Sequence, residues 1–182
     1  MAHWDLKGKK LAVVVLLAST TSVAAVAKDK DKDQAEPFAA GAQIVEWLVP
    51  GSSVGCNPLP ASPNVGVGTI SGSGLATSIG RFNISSLDCV RSASPYGFYP
   101  PFNFSSSVLT LTAANGEQII ASYSGSADIQ PSGLLHLSGT FNFTSGTGRF
   151  KGVKGGGTLL GVEDISAFPA RGFVTLTGTI DR

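Results

Sequence analysis

The sequence is short of charge. Asp, Glu, Lys and Arg make up 14% of its 182 residues, against about 25% in an average soluble domain. The formal net charge is +1, so nothing in the composition marks a nucleic acid or an acidic partner. Cysteine occurs twice, methionine once and histidine twice. One of the two histidines is His3, so any site after the N-terminal segment has His136 alone, a poor metal-ligand set. Helical periodicity is missing beyond the N-terminal segment. No apolar run reaches the ~20 residues of a membrane-spanning helix. Hydrophobic residues still amount to 42%, enough for a core. The 23 glycines, with abundant Ser and Thr, favour short strands joined by tight turns.

The N-terminus has the three-part layout of a secretory signal peptide. Lys7, Lys9 and Lys10 form a basic region, Leu11 to Ala18 an apolar core, and Ala25-Val26-Ala27 a small-x-small cleavage site. An uncleaved anchor is the alternative, but Ser19 to Ser22 interrupt the apolar run. Residues 1–27 are therefore expected to be removed, with the mature chain starting near Lys28. Residues 28–37 read as a charged linker, because KDKDKD has nothing to bury. Residues 38–182 are expected to form one domain, secreted or periplasmic.

Export gives the cysteines a meaning. Cys56 and Cys89 are the one available pair, 33 positions apart, and outside the cytoplasm a disulfide is the default. Closing a loop of that length stabilises by roughly 3.5–4 kcal/mol in the chain-entropy model.

The domain reads as eight runs with strand character. They are 43–49, 65–72, 75–82, 106–113, 117–125, 133–144, 150–162 and 172–181. In the first, Val45, Trp47 and Val49 share one parity. Gly72-Ser73-Gly74 reads as a turn, and Asn115-Gly116 is a strong hairpin signal. Leu135, Leu137, Phe141 and Phe143 share one face of their strand, as do Val174, Leu176 and Ile180 of theirs. About eight antiparallel strands with no covering helix argue for a closed β-barrel, which leaves no exposed edges. A β-sandwich is the alternative.

Three segments carry a resemblance. They are Gly74-Leu75-Ala76-Thr77-Ser78-Ile79-Gly80-Arg81-Phe82, Ala113-Ala114-Asn115-Gly116-Glu117 and Ser145-Gly146-Thr147-Gly148-Arg149-Phe150. Across roughly residues 40–182 the chain resembles the allene oxide cyclase-like and dirigent-like β-barrel superfamily, and most of all its exported members of undefined function. The likeness implies an eight-stranded barrel. It carries over no catalytic set. Ser78 stands where such sequences often have histidine, and Glu117 where they have Asp.

The Ser145 to Phe150 turn lacks the Lys-Ser/Thr ending and following helix of a phosphate loop, so it reads as a strand connection. Arg81 and Arg149 are candidates to bind an anionic group, or to pair with Glu117 or Asp128 and pin the barrel ends. His136, alone on a polar strand face, reads as a surface residue. Glu163 and Asp164, adjacent on a strand, point to opposite faces and do not form an acid/base pair; in a loop they would be solvated. Tyr96, Phe98, Tyr99, Phe102 and Phe104 crowd around Pro100-Pro101, a segment no ordinary strand accommodates. They are expected to lid the barrel mouth and contact a ligand. Asn83, Asn103 and Asn142 open Asn-x-Ser/Thr sequons, relevant in a eukaryotic secretory pathway.

The function expected from these features is an exported, non-catalytic barrel that binds a small apolar ligand or a protein partner. The alternative is a cyclase- or coupling-type enzyme that shapes a reactive hydrophobic substrate. No cofactor, metal, nucleic acid or membrane span after cleavage is expected, and a homo-oligomer is left open.

Overall fold

The computed structural model describes residues 35–56 and 62–182. The expected signal peptide and the KDKDKD linker lie outside the described residues. Eight strands follow in order: β1 (Glu36–Pro50), β2 (Val65–Ala76), β3 (Gly80–Ser92), β4 (Phe102–Ala113), β5 (Gln118–Ile129), β6 (Leu135–Gly146), β7 (Lys154–Asp164) and β8 (Ala170–Asp181). Each pairs antiparallel with its chain neighbours, and β8 returns to pair with β1. The sheet is thus a closed up-and-down barrel, not a sandwich. Its first strand starts at Glu36, two residues inside the expected linker.

Two sequence expectations need correction, and β4 carries an irregularity the sequence did not announce. Gly72-Ser73-Gly74 is not a turn. It lies within β2, paired with Ala42, Gln43 and Ile44 of β1. A Cβ on Gly72 or Gly74 would strike the backbone carbonyl of Gln43 or Gly41, so these glycines allow close strand approach. The chain turns instead at Thr77 to Ile79, where Gly80 takes φ +76°. In β1 the inward parity is Phe38, Ala40, Ala42, Ile44 and Glu46, while Trp47 and Val49 face outward. Both parities of residues 43–49 carry apolar side chains, so alternation alone leaves the choice open. In β4 the inward parity switches between Ser106 and Leu109, where the register with β5 shifts. Such an irregularity turns the following side chains to the other face.

The two barrel ends differ. At one end Phe150, on a single-turn 3-10 helix, is fully buried with Val153. Phe38, Phe141 and Phe143 pack in tilted and edge-on pairs with centroids 5.1 to 6.0 Å apart. Burying such rings contributes roughly 1.5–3 kcal/mol each, and together they plug that end. The second and third motif turns meet here. Glu117 accepts from the Asn115 amide (2.8 Å) and the Arg149 backbone N–H (3.0 Å), and pairs with the Arg149 guanidinium (3.3 Å). The barrel's middle is filled by Ile44, Ile70, Ile84, Leu109, Leu159 and Leu176, which leave a void of about 30 Å³. At the other end the connections are longer, and the barrel stays open.

Candidate functional site

The open end is framed by the β1–β2, β3–β4, β5–β6 and β7–β8 connections. Cys56 and Cys89 form the expected disulfide, Cα–Cα 5.4 Å, which ties the β1–β2 connection to the outside of β3. The β3–β4 connection is held by Ser92. Its buried hydroxyl donates to the Gly97 carbonyl (2.8 Å) and accepts from the backbone N–H of Ser94 (3.0 Å) and Tyr99 (3.2 Å). Pro101 interrupts the strand pattern, so β4 begins only at Phe102.

Below these connections lies a cavity of about 410 Å³. That is within the range of small-molecule sites. Its upper wall is Phe98, Tyr99, Pro100 and the β7–β8 connection from Ile165 to Phe168. Phe102, Phe104, Leu135 and Leu137 line it deeper down. Of the five aromatics, Phe98 and Tyr99 cover the barrel mouth, whereas Phe102 and Phe104 belong to β4 and line the cavity from inside the barrel. Tyr96 is 87% exposed and does not line the cavity. Phe98 stacks on Phe102 at 5.0 Å, and Gly66 beneath it has no side chain to block the ring.

The cavity also holds three carboxyl groups, from Glu46 of β1, Asp88 of β3 and Glu163 of β7. All three are buried. Their convergence depends on glycines in the two strands between them. Gly68 of β2 lies between Glu46 and Asp88; a Cβ there would overlap the Glu46 Oε1 and come within 3.3 Å of the Asp88 Cβ. Gly172 of β8 is the cross-strand partner of Glu163, and a Cβ there would come within 2.5 Å of the Glu163 Cγ. Gly68 opens the space the Glu46 carboxyl occupies, and Gly172 the space of the Glu163 side-chain stem.

No cation compensates these acids among the described residues. The two ion pairs there, Arg149–Glu117 and Arg182–Glu36, sit at the plugged end. Burial pushes Glu46 up to about 9, with the Glu163 and Asp88 charges and a hydrogen bond donated to Glu163 adding to it. Burial likewise pushes Asp88 up to about 8, against a hydrogen bond from Ser86 and with the Glu163 charge. Glu163 is raised by burial, partly offset by its hydrogen bond from Glu46. At neutral pH Glu46 and Asp88 are thus protonated acids. The Tyr123 hydroxyl donates to Asp88 Oδ1, and Ser86 joins Asp88 (3.2 Å) to Ser106 (2.9 Å). Register shifts fall beside Ser86 and Ser106. Glu163 Oε1 is buried without a hydrogen-bond partner.

The two arginines singled out in the sequence are elsewhere. Arg81 lines a shallow groove on the outer wall with Leu75, Asn83 and Phe173. Arg149 is at the plugged end with Glu117, and its guanidinium lies 4.8 Å from the Phe150 ring centre. Neither reaches the cavity, because both lie at the end opposite its mouth. Asp128 caps the Ile129 amide (2.8 Å). His136, Asn83, Asn103 and Asn142 are exposed on the outer wall.

Glu163 and Asp164 do face opposite ways, but Glu163 is buried rather than solvated. Sequence reasoning missed its partners Glu46 and Asp88. A signal existed. Each interrupts an apolar series at every second position, Ile44-x-Glu46-x-Leu48 and Ile84-x-Ser86-x-Asp88-x-Val90. Among the described residues no group of three or more His, Cys, Asp or Glu is arranged to hold a metal ion, and no helix is long and apolar enough to cross a membrane. The chain matches no protein-family model, no curated protein and no solved structure.

Proposed function

We propose that this chain is an exported barrel whose open-end cavity binds a small, largely apolar ligand. The cavity of about 410 Å³ with its aromatic upper wall carries this reading. The plugged far end supports it, since a ligand then enters and leaves by one mouth. The disulfide supports export, because such bonds persist in oxidising compartments. We also propose, on the resemblance of its three motifs, that the chain is a member of the allene oxide cyclase-like and dirigent-like superfamily, a reading with which an eight-stranded barrel is compatible.

One observation favours a second reading, a cyclase- or coupling-type enzyme. Glu46 and Asp88 are acids held protonated at neutral pH beside an apolar space, and a positioned acid of raised pKa is suited to protonating a bound substrate.

The binding reading is tested with N-phenyl-1-naphthylamine, an uncharged fluorescent probe. Tyr99 and Phe168 line the cavity and are 62% and 66% exposed, so their loss spares the core. The double variant Tyr99→Ala/Phe168→Ala is expected to weaken the probe roughly tenfold with an unchanged circular dichroism spectrum. Equal affinity in a folded double variant would sink the proposal.

A further inference from the structure

Three acids in one apolar cavity pose a physical problem. Burying a carboxyl costs free energy unless it is paired. Here the strands packed around the acids supply no charge to pair them. Inward, β2 presents Gly68 and β8 presents Gly172; β4 presents Ser106, and β6 presents Leu135 and Leu137. Two tyrosines complete the titratable groups around them: Tyr123 of β5, whose hydroxyl donates to Asp88, and Tyr99 in the upper wall of the cavity; neither supplies positive charge. Arg91 and Arg171 are on the outward parity of β3 and β8.

A second observation is independent of the acid count. Glu163 lines the cavity at 2% exposure, and its Oε1 has no partner. An acceptor buried without a donor marks the place of a missing donor. The walls add a third. Phe98, Tyr99, Phe102, Phe104 and Phe168 surround the same space, and ring faces attract cations. A bare metal ion fits poorly, because no metal-holding group is formed among the described residues and a bare ion would leave the apolar volume unfilled.

We infer that the cavity takes an organic amine, its ammonium head seated among Glu46, Asp88 and Glu163 and its apolar body against Phe98, Phe102 and Phe168. This rests on the cavity being a ligand site, as proposed above. The amine supplies the donors that Glu163 Oε1 lacks and the positive charge that lets the acids ionise. Since Glu46 and Asp88 hold protons in the empty barrel, amine binding releases protons to solvent.

The test is calorimetry near pH 7 on the secreted chain with its disulfide intact. Three ligands of one shape are compared: 4-phenylbutylamine, 4-phenylbutan-1-ol and 4-phenylbutyrate. The amine is expected to bind about tenfold or more tighter than the alcohol, and the carboxylate weakest. Amine titrations in two buffers of different ionisation enthalpy should show proton release. Glu163→Gln should weaken the amine about tenfold and leave the alcohol within about twofold. If Glu163→Gln does not fold, Glu46→Gln carries the same readouts, and the amine-to-alcohol ratio of the unaltered chain decides by itself. Equal binding of amine and alcohol overturns the inference and leaves the cavity reading standing. Binding of none of the three removes both. Displacement of the amine by equimolar calcium or zinc overturns the inference in favour of a metal site.

Discussion

Glu46→Gln replaces a buried carboxyl by an amide of the same shape that has no proton to lose. The Gln amide still donates to Glu163. In the folded barrel Glu46 is raised from its ordinary 4.5 to about 9. Near pH 7 the unfolded chain has therefore released a proton that the barrel retains. Retention costs roughly 1.4 kcal/mol per pH unit above the unfolded value. The interval from 4.5 to 7 gives a cost of about 3 kcal/mol. Gln removes it, so the variant should be more stable by up to about that amount, or roughly 10 °C in Tm for a domain of this size. The gain should vanish near pH 4, where both states of the acid are protonated. The unaltered chain should lose stability as pH rises from about 4.5 toward about 9, because its folded pKa lies above the unfolded one. Urea unfolding followed by circular dichroism at a series of pH values measures all of this. A variant no more stable than the parent near pH 7, or a parent whose stability is flat between pH 5 and pH 8, would refute the reasoning.

Cys89→Ser opens the loop tied to β3 and should destabilise by roughly 3–4 kcal/mol. Thermal melts of oxidised parent and variant check this, and an unchanged Tm would mean that the loop is held by other contacts. Gly172→Ala sets a methyl group within 2.5 Å of the Glu163 Cγ and of the Val162 carbonyl, the latter fixed in the β7–β8 ladder, and should cost about 1–3 kcal/mol. A variant as stable as the parent would show that Glu163 does not occupy the space Gly172 opens.

The one-dimensional sequence pointed to eight antiparallel strands and favoured a barrel over a sandwich. Period-two runs, the Asn115-Gly116 hairpin and the lack of helical periodicity are local properties; they favour closure, because eight strands without covering helices leave edges to pair, but the β8–β1 pairing that excludes a sandwich is a tertiary contact. The cysteine pairing was legible because two cysteines allow one partner each. The aromatic segment was legible only in part: Phe98 and Tyr99 do lie over the barrel mouth, but Phe102 and Phe104 continue into β4 and Tyr96 stays exposed. Where both parities were apolar, as in residues 43–49, alternation left open which face turned inward. Where glycines clustered, as at residues 72–74, a turn and a close strand approach looked alike. Only the tertiary structure could settle these points, because each depends on a neighbour distant in the chain. The acid cluster shows this most clearly. Glu46, Asp88 and Glu163 are separated by 42 and 75 positions, and each looked like an isolated charge. Barrel closure sets β1 between β8 and β2, and the absent side chains of Gly172 and Gly68 let the three carboxyls meet across those strands. Their raised pKa values arise from that shared burial, a property of the enclosed space that no single segment possesses.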